Sequence, residues 1–198
     1  DFRNHPVSYL TAELYGLHDR EKFEVYVYSY GPVDNDGGYR ERIMAGCDVF
    51  VDLESASMPE MAQRIFQDDI DILIDLTGNT QHTRSAIRAY RLEPVQTDWL
   101  GYVATMGSEH YDYIFSDPIT TPVGYDQFFA EKLVRLPYTL QINDRQRPIS
   151  DRIFKREELG LPETGFVFCN FTQVFKIQPK MFACWMRILA RVPGSVMW

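Results

Sequence analysis

The stretch Phe166 to Lys176 (FVFCNFTQVFK) sets an amide and an ammonium, Gln173 and Lys176, in a polar turn between an aromatic run and Pro179. The run, Phe166 to Asn170, has the unbroken apolar character of a strand covered on both faces, and proline suits the first position of a helix. A strand-turn-helix corner presents unpaired backbone N–H groups at the start of the helix. Lys176 adds a point charge there and Gln173 a second donor, which together can grip a phosphate. An ordinary βα corner with a solvated lysine would use the same residues, so the choice rests on the remaining chain.

Other chemistry is limited. The segment Gly101 to Gly107 (GYVATMG) brackets small and polar residues with two glycines, so its backbone can approach a ligand closely or form a plain turn. There is no GxGxxG and no GxxxxGK[ST], which argues against a dehydrogenase or a P-loop protein. His5, His18, His82 and His110 share no metal-ligand spacing with Cys47, Cys169 and Cys184, and no metal site is predicted. The cysteines fall in apolar surroundings without a CxxC pair and read as reduced core residues of a cytoplasmic protein.

Composition narrows the class further. The 198 residues are 45% hydrophobic and 14% aromatic, enough for a sizeable core. A net charge of -8 excludes nucleic acid as the main partner, because binding to a phosphate backbone needs clustered Lys and Arg. The apolar runs are strand-sized, so no membrane span is expected. The chain opens without an initiator methionine and ends at Ser195 to Trp198 in what reads as a strand, which points to a piece of a longer protein.

The elements that would position these residues alternate. A helix is expected from about Val7, with Val7, Leu10, Leu14 and Leu17 on one face. A strand follows at Phe23 to Tyr30, then a turn-rich loop from Gly31 to Gly38, a short helix over Tyr39 to Ala45 and a strand over Asp48 to Leu53. Ser57-Met58-Pro59-Glu60 is a capping box, placing a helix from Pro59 to about Gln67 with Met61, Ile65 and Phe66 inward. Strands are expected at Ile70 to Leu76, Val95 to Leu100, Tyr113 to Ser116 and Leu133 to Leu136, with a helix over Thr83 to Tyr90. The alternation predicts an α/β fold with a parallel sheet, in a Rossmann-like domain over residues 1–140. The charged run 141–156 reads as a linker. A second α/β unit, 157–198, holds the Phe166 strand, a helix from Pro179 to Val192 and the final strand. In such sheets ligands sit beyond the C-terminal strand ends, here the turns at Gly78 to Thr80, Gly101 to Gly107 and Thr172 to Lys176.

Several collinear motifs then converge. DFRNHP with Val7, DILIDLTGNT with Arg84, WLGYVATMG followed by DYIFSDP, the run from Glu131 to Asp144, and FVFCNFTQVFKIQP with its trailing WMRILARVPGSVMW closely resemble the catalytic region of O-linked N-acetylglucosamine transferases. These are the SPINDLY-type proteins with tetratricopeptide repeats ahead of the catalytic part, here in a compact, bacterial-like form. The resemblance implies a GT-B glycosyltransferase: a Rossmann-like N-terminal lobe followed by the start of a second, truncated nucleotide-sugar lobe. It implies metal-independent, inverting transfer of a sugar, N-acetylglucosamine from UDP-GlcNAc, to Ser or Thr hydroxyls of acceptor proteins, with no cofactor beyond the donor. By similarity Lys176 meets the charge developing on the departing diphosphate and Gln173 assists it. His5 faces the sugar and acceptor as a catalytic residue, and Thr80, Leu100, Gly101 and Tyr102 border the sugar.

Departures from the family pattern are visible. Asn79 stands where His or Tyr is usual, Val103-Ala104 replaces Pro-Gly, Phe175 replaces a tyrosine, and Gln63 and Phe66 occupy helix positions that are often polar or acidic. SPINDLY-type relatives can use a fucosyl donor, so GDP-fucose is an alternative. A non-catalytic relative that binds nucleotide sugar or protein is a second alternative, and an unrelated Rossmann enzyme, lacking its fingerprint, a third. Because the second lobe supplies most nucleotide contacts, residues 1–198 alone are expected to be inactive.

Overall fold

The computed structural model describes residues 2–32 and 37–198, so part of the loop expected between Gly31 and Gly38 lies outside the described residues. The chain divides into two units, Asp1–Arg147 and Pro148–Trp198. In the first, the elements run α1 (Pro6–Thr11), β1 (Tyr26–Ser29), α2 (Tyr39–Gly46), β2 (Val49–Asp52), α3 (Met58–Gln67), β3 (Ile72–Asp75), β4 (Val95–Asp98), β5 (Tyr113–Ser116) and β6 (Lys132–Arg135). The second holds β7 (Val167–Phe168), α4 (Pro179–Arg191) and β8 (Val196–Met197).

Every strand pair among the described residues is parallel: β1 with β2, β3-β4-β5-β6 in chain order, and β7 with β8. The fold class is α/β, as the alternation of elements implies. The connections are lighter than expected, however. Only a 3-10 helix, Ser85–Tyr90, links β3 to β4, where a helix over Thr83 to Tyr90 was expected, and Tyr125–Phe128 supplies another 3-10 turn before β6.

Two apolar clusters hold the first unit. One joins Val51 and Leu53 to Met61, Ala62 and Ile65 of α3, Leu73 of β3 and Ile87. The α3 helix forms because Glu60 accepts from both the Ser57 N–H (2.8 Å) and the Ser57 hydroxyl (2.6 Å), and it closes on an Arg64–Asp68 pair one turn apart at 2.9 Å. Its apolar face is Met61, Ala62 and Ile65; Phe66, expected inward, is 65% exposed, because it lies one residue round from Ile65 and off that stripe. The other cluster gathers Phe2, Ala12, Tyr15, Val27 and Ile43, with Leu76 packed against it. The first helix stops at Thr11 and resumes as a 3-10 turn, Leu14–Leu17. The change of pitch breaks the expected stripe, and Leu17 is exposed.

Of the expected strands, β5 keeps its bounds, β6 is shifted by one residue, β4 is shorter at its C-terminal end, and the others are shorter at both ends. Phe23 is exposed, and the Asp48 carboxylate takes the Val25 N–H at 2.7 Å before the β1–β2 ladder begins. The cysteines are free thiols but depart from the expected core placement: Cys47 and Cys184 are half-buried, and Cys169 is exposed at the end of β7. No helix among the described residues is long and apolar enough to cross a membrane.

Candidate functional site

At the C-terminal ends of β3 and β4 two turns press together, and glycine is what permits it. A Cβ on Gly101 would lie 2.1 Å from the Leu76 carbonyl oxygen. One on Gly78, which has φ +57°, would meet Tyr102 Cβ at 2.5 Å and Asp98 Oδ1 at 2.8 Å. The close approach at Gly101, open to a ligand in the sequence, is thus taken by the chain's own backbone. Between Trp99 and Gly101 the chain makes a γ-turn, with the Gly101 N–H donating to the Trp99 carbonyl at 3.0 Å and Leu100 at φ +75°. A leucine in this left-handed region is strained by about 1–2 kcal/mol, a cost that packing of the two turns offsets.

Thr80 closes the first turn. Its N–H donates to Gly78 O and its hydroxyl to Thr77 O, both at 3.0 Å. The fold therefore brings Thr80, Leu100, Gly101 and Tyr102 to one corner through the Gly78 contact. The loop beyond is pinned at its far side, where Glu131 accepts from the Thr105 hydroxyl and the Met106 N–H, each at 2.8 Å.

Beneath the corner lies a polar network that sequence reasoning missed. Asp75 accepts from the Thr77 N–H (2.9 Å), the Gly78 N–H (3.1 Å) and the Tyr111 hydroxyl (2.8 Å), and Arg88 Nε stands 3.9 Å from it. This carboxylate is the strut of the first turn. Desolvation raises the Tyr111 phenol above its ordinary range, with Asp75 adding to the shift. The visible signal was Gln96-Thr97-Asp98 inside an apparently buried strand. All three are indeed buried, although polar residues there demand a reason.

His5 occupies a different element, the N-cap of α1, in an extended conformation ahead of Pro6. Its Nδ1 accepts the Val7 N–H at 3.2 Å. The neutral ring accordingly carries its hydrogen on Nε2. Burial, aided by the charge of Arg3, holds its pKa below the usual histidine value.

Gln173 and Lys176 belong to the second unit. Gln173 precedes the 3-10 turn Val174–Lys176, and its carbonyl accepts the Lys176 N–H at 2.9 Å. Lys176 therefore stands just ahead of α4 rather than in it. Its side chain is exposed, with Nζ 5.9 Å from the centre of the Phe175 ring. The α4 helix begins at Pro179, and its N-cap, Gln178, makes no side-chain capping bond. Backbone donors at that end are left to another partner. Among the described residues no group of three or more His, Cys, Asp or Glu side chains is disposed to hold a metal ion.

Comparison with known proteins converges on one group. The glycosyl transferase family 41 profile matches residues 1–155 and 146–198. The probable UDP-N-acetylglucosamine–peptide N-acetylglucosaminyltransferase SEC of Arabidopsis thaliana is 37% identical over 203 residues, covering 100% of this chain and 21% of that protein. The SPINDLY protein of the same plant, of the same probable activity, is 34% identical over 204 residues, covering 98% of this chain and 21% of its own length. A mutant O-GlcNAc transferase from Thermobaculum terrenum superposes with a TM-score of 0.86 at 29% identity, covering 100% of this chain and 36% of that one. The chain thus spans about a fifth of the length of these curated plant relatives.

Proposed function

The chain belongs to glycosyl transferase family 41, with the α/β architecture of the GT-B class, and on that premise we propose that the whole protein is an inverting protein O-glycosyltransferase. Its donor in this reading is UDP-GlcNAc and its acceptors are Ser and Thr hydroxyls of cytoplasmic proteins. The hydroxyl oxygen attacks the anomeric carbon from the face opposite the diphosphate. The bond from that carbon to the β-phosphate oxygen breaks, UDP leaves, and the hydroxyl proton passes to a base.

The observation that carries the reading is the corner between β7 and α4. It joins an exposed lysine and a glutamine to a helix start whose N-cap, Gln178, makes no side-chain capping bond. Charge gathers on the departing diphosphate in the transition state, and preorganised donors aimed at it lower the barrier. Lys176 takes the point-charge role and Gln173 the supporting one. Thr80, Leu100, Gly101 and Tyr102 border the sugar, and His5 serves it or the acceptor. Neither nucleic acid nor a membrane has a part in this reading.

The test is transfer by the full-length protein, followed by donor consumption and mass shift of an acceptor protein, with UDP-GlcNAc and GDP-fucose in separate reactions. Consumption of UDP-GlcNAc alone supports the reading, and consumption of GDP-fucose alone replaces the donor. UDP binding without consumption of either sugar favours a binding module, the outcome to which Asn79, Val103, Ala104 and Phe175 would then be assigned.

A further inference from the structure

Asp75 and Asp98 are register partners on the adjacent parallel strands β3 and β4, so their side chains leave the sheet on the same face. Both are buried, Asp75 to 5% and Asp98 to 0% exposure. Their surroundings differ sharply. Asp75 is surrounded by donors, whereas neither carboxyl oxygen of Asp98 has a hydrogen-bond partner. Asp98 Oδ1 lies directly beneath Gly78, at the point where Gly78 meets Tyr102. The groups that act on it are Asp75 from β3, Arg88 from the 3-10 turn after β3, Glu131 from the segment ahead of β6, and Tyr111 from the segment ahead of β5. Asp75 and Glu131 thus both act on Asp98 against a single guanidinium, and that guanidinium already leans on Asp75. A third negative charge here would be buried, without donors, beside one of its own sign.

We propose that Asp98 is a positioning residue for the sugar-side corner and does its work as an uncharged carboxylic acid, letting the Gly78 and Gly101 turns close over it. The proposal rests on the reading that Thr80 and Leu100 to Tyr102 border the sugar. Burial, then Asp75, then Glu131 push the Asp98 carboxyl up to about 8, against Arg88. Near neutral pH the side chain is protonated and the corner closed. Above that value it ionises, repels Asp75 and seeks water, which forces the two turns apart.

Asparagine has the same shape and never ionises, so Asp98→Asn isolates the charge. In full-length protein the wild-type kcat/KM for UDP-GlcNAc should fall about tenfold between pH 7 and pH 9, since about one carboxyl in ten with that midpoint is protonated at pH 9. In Asp98→Asn the same ratio should stay within about twofold. An equal fall in both proteins overturns the proposal. Hydrogen exchange read by mass spectrometry, which needs no transfer, separates this proposal from the enzymatic reading. Peptides over residues 76–82 and 99–106 should lose protection above pH 8 in the wild type relative to Asp98→Asn. Matched protection across pH 7 to 9 overturns the proposal whether or not sugar is transferred, and absence of transfer with the exchange difference present sinks only the enzymatic reading. Should Asp98→Asn fail to fold, a midpoint near 4 for the Asp98 carboxyl carbon in wild-type protein, read by carbon-13 NMR, overturns it equally.

Discussion

Replacing Gly101 by alanine asks directly whether the two turns at the head of β3 and β4 hold the corner. The new methyl would lie 2.1 Å from Leu76 O, 3.1 Å from Leu76 C and 3.3 Å from Thr77 Cα. All three are backbone atoms, so no flexible side chain can swing aside. A carbon and an oxygen not hydrogen-bonded to each other rest at about 3.5 Å, and the turns must therefore separate by more than an ångström. Overpacking of this kind costs about 1–3 kcal/mol. With a shift of ~4 °C per kcal/mol for a unit of this size, the thermal midpoint should drop by about 4–12 °C. The catalytic effect should be larger than the stability effect implies, since a displacement of about 1 Å can cost about 100-fold in rate. Gly107→Ala is the control: unlike Gly101 it has a positive φ, +62°, so its added Cβ brings backbone strain, but nothing lies within 4 Å of it. Calorimetry and kcat/KM on the two full-length variants make the comparison. If Gly101→Ala is as stable and as active as Gly107→Ala, the packed-corner account is wrong.

Two further perturbations test the frame around the site. Arg42→Ala should destabilise by about 2–4 kcal/mol, because Arg42 grips the fully buried Asp144 side chain with two bonds of 2.6 and 2.9 Å and would leave it uncompensated. Arg42 holds the Asp144 carboxyl below its usual value, so this contribution is present above pH 4 and is lost as acid protonates Asp144; the Arg42→Ala deficit should shrink there. His5→Asn should keep the α1 cap and remove a titration. Because the folded-state pKa of His5 is lowered, its stability contribution is present above about 6.5 and is lost as the pH falls through the lower, folded value. Wild-type melting temperature should therefore drop relative to His5→Asn on that acid side, and parallel curves would remove His5 from the titrating groups that matter.

The fold was legible where local chemistry was strong. The capping box at Ser57 and Glu60 announces α3, and Met61 and Ile65 at helical spacing announce its buried face. Phe66 fails because hydrophobicity was allowed to stand in for angular position. Leu17 fails because a 3-10 segment turns every three residues, and no residue between Thr11 and Leu14 marks the change. In the site, the turns carrying Thr80 and Tyr102 could be placed by strand ends alone. The bonds from Asp75 to the Thr77 and Gly78 amides are local, two and three residues on, and an Asx-type turn was legible there; what was hidden is the Tyr111 hydroxyl that reaches Asp75 from another strand's approach, a nonlocal fact. Asp98 was hidden for the same reason: a buried aspartate in a strand looks like a boundary until its neighbour is known to be another carboxylate. The purpose of Gly101 was also ambiguous, because a glycine that admits a ligand and one that admits a carbonyl have the same sequence.

The central claim, that Lys176 meets the charge on a departing nucleotide diphosphate, is tested most directly by Lys176→Met in the full-length protein, with UDP-GlcNAc transfer and UDP binding measured side by side. The account predicts a fall of about 100- to 1000-fold in kcat, the scale of losing one preorganised donor, with a much smaller change in UDP affinity. Transfer at the wild-type rate by Lys176→Met would contradict it.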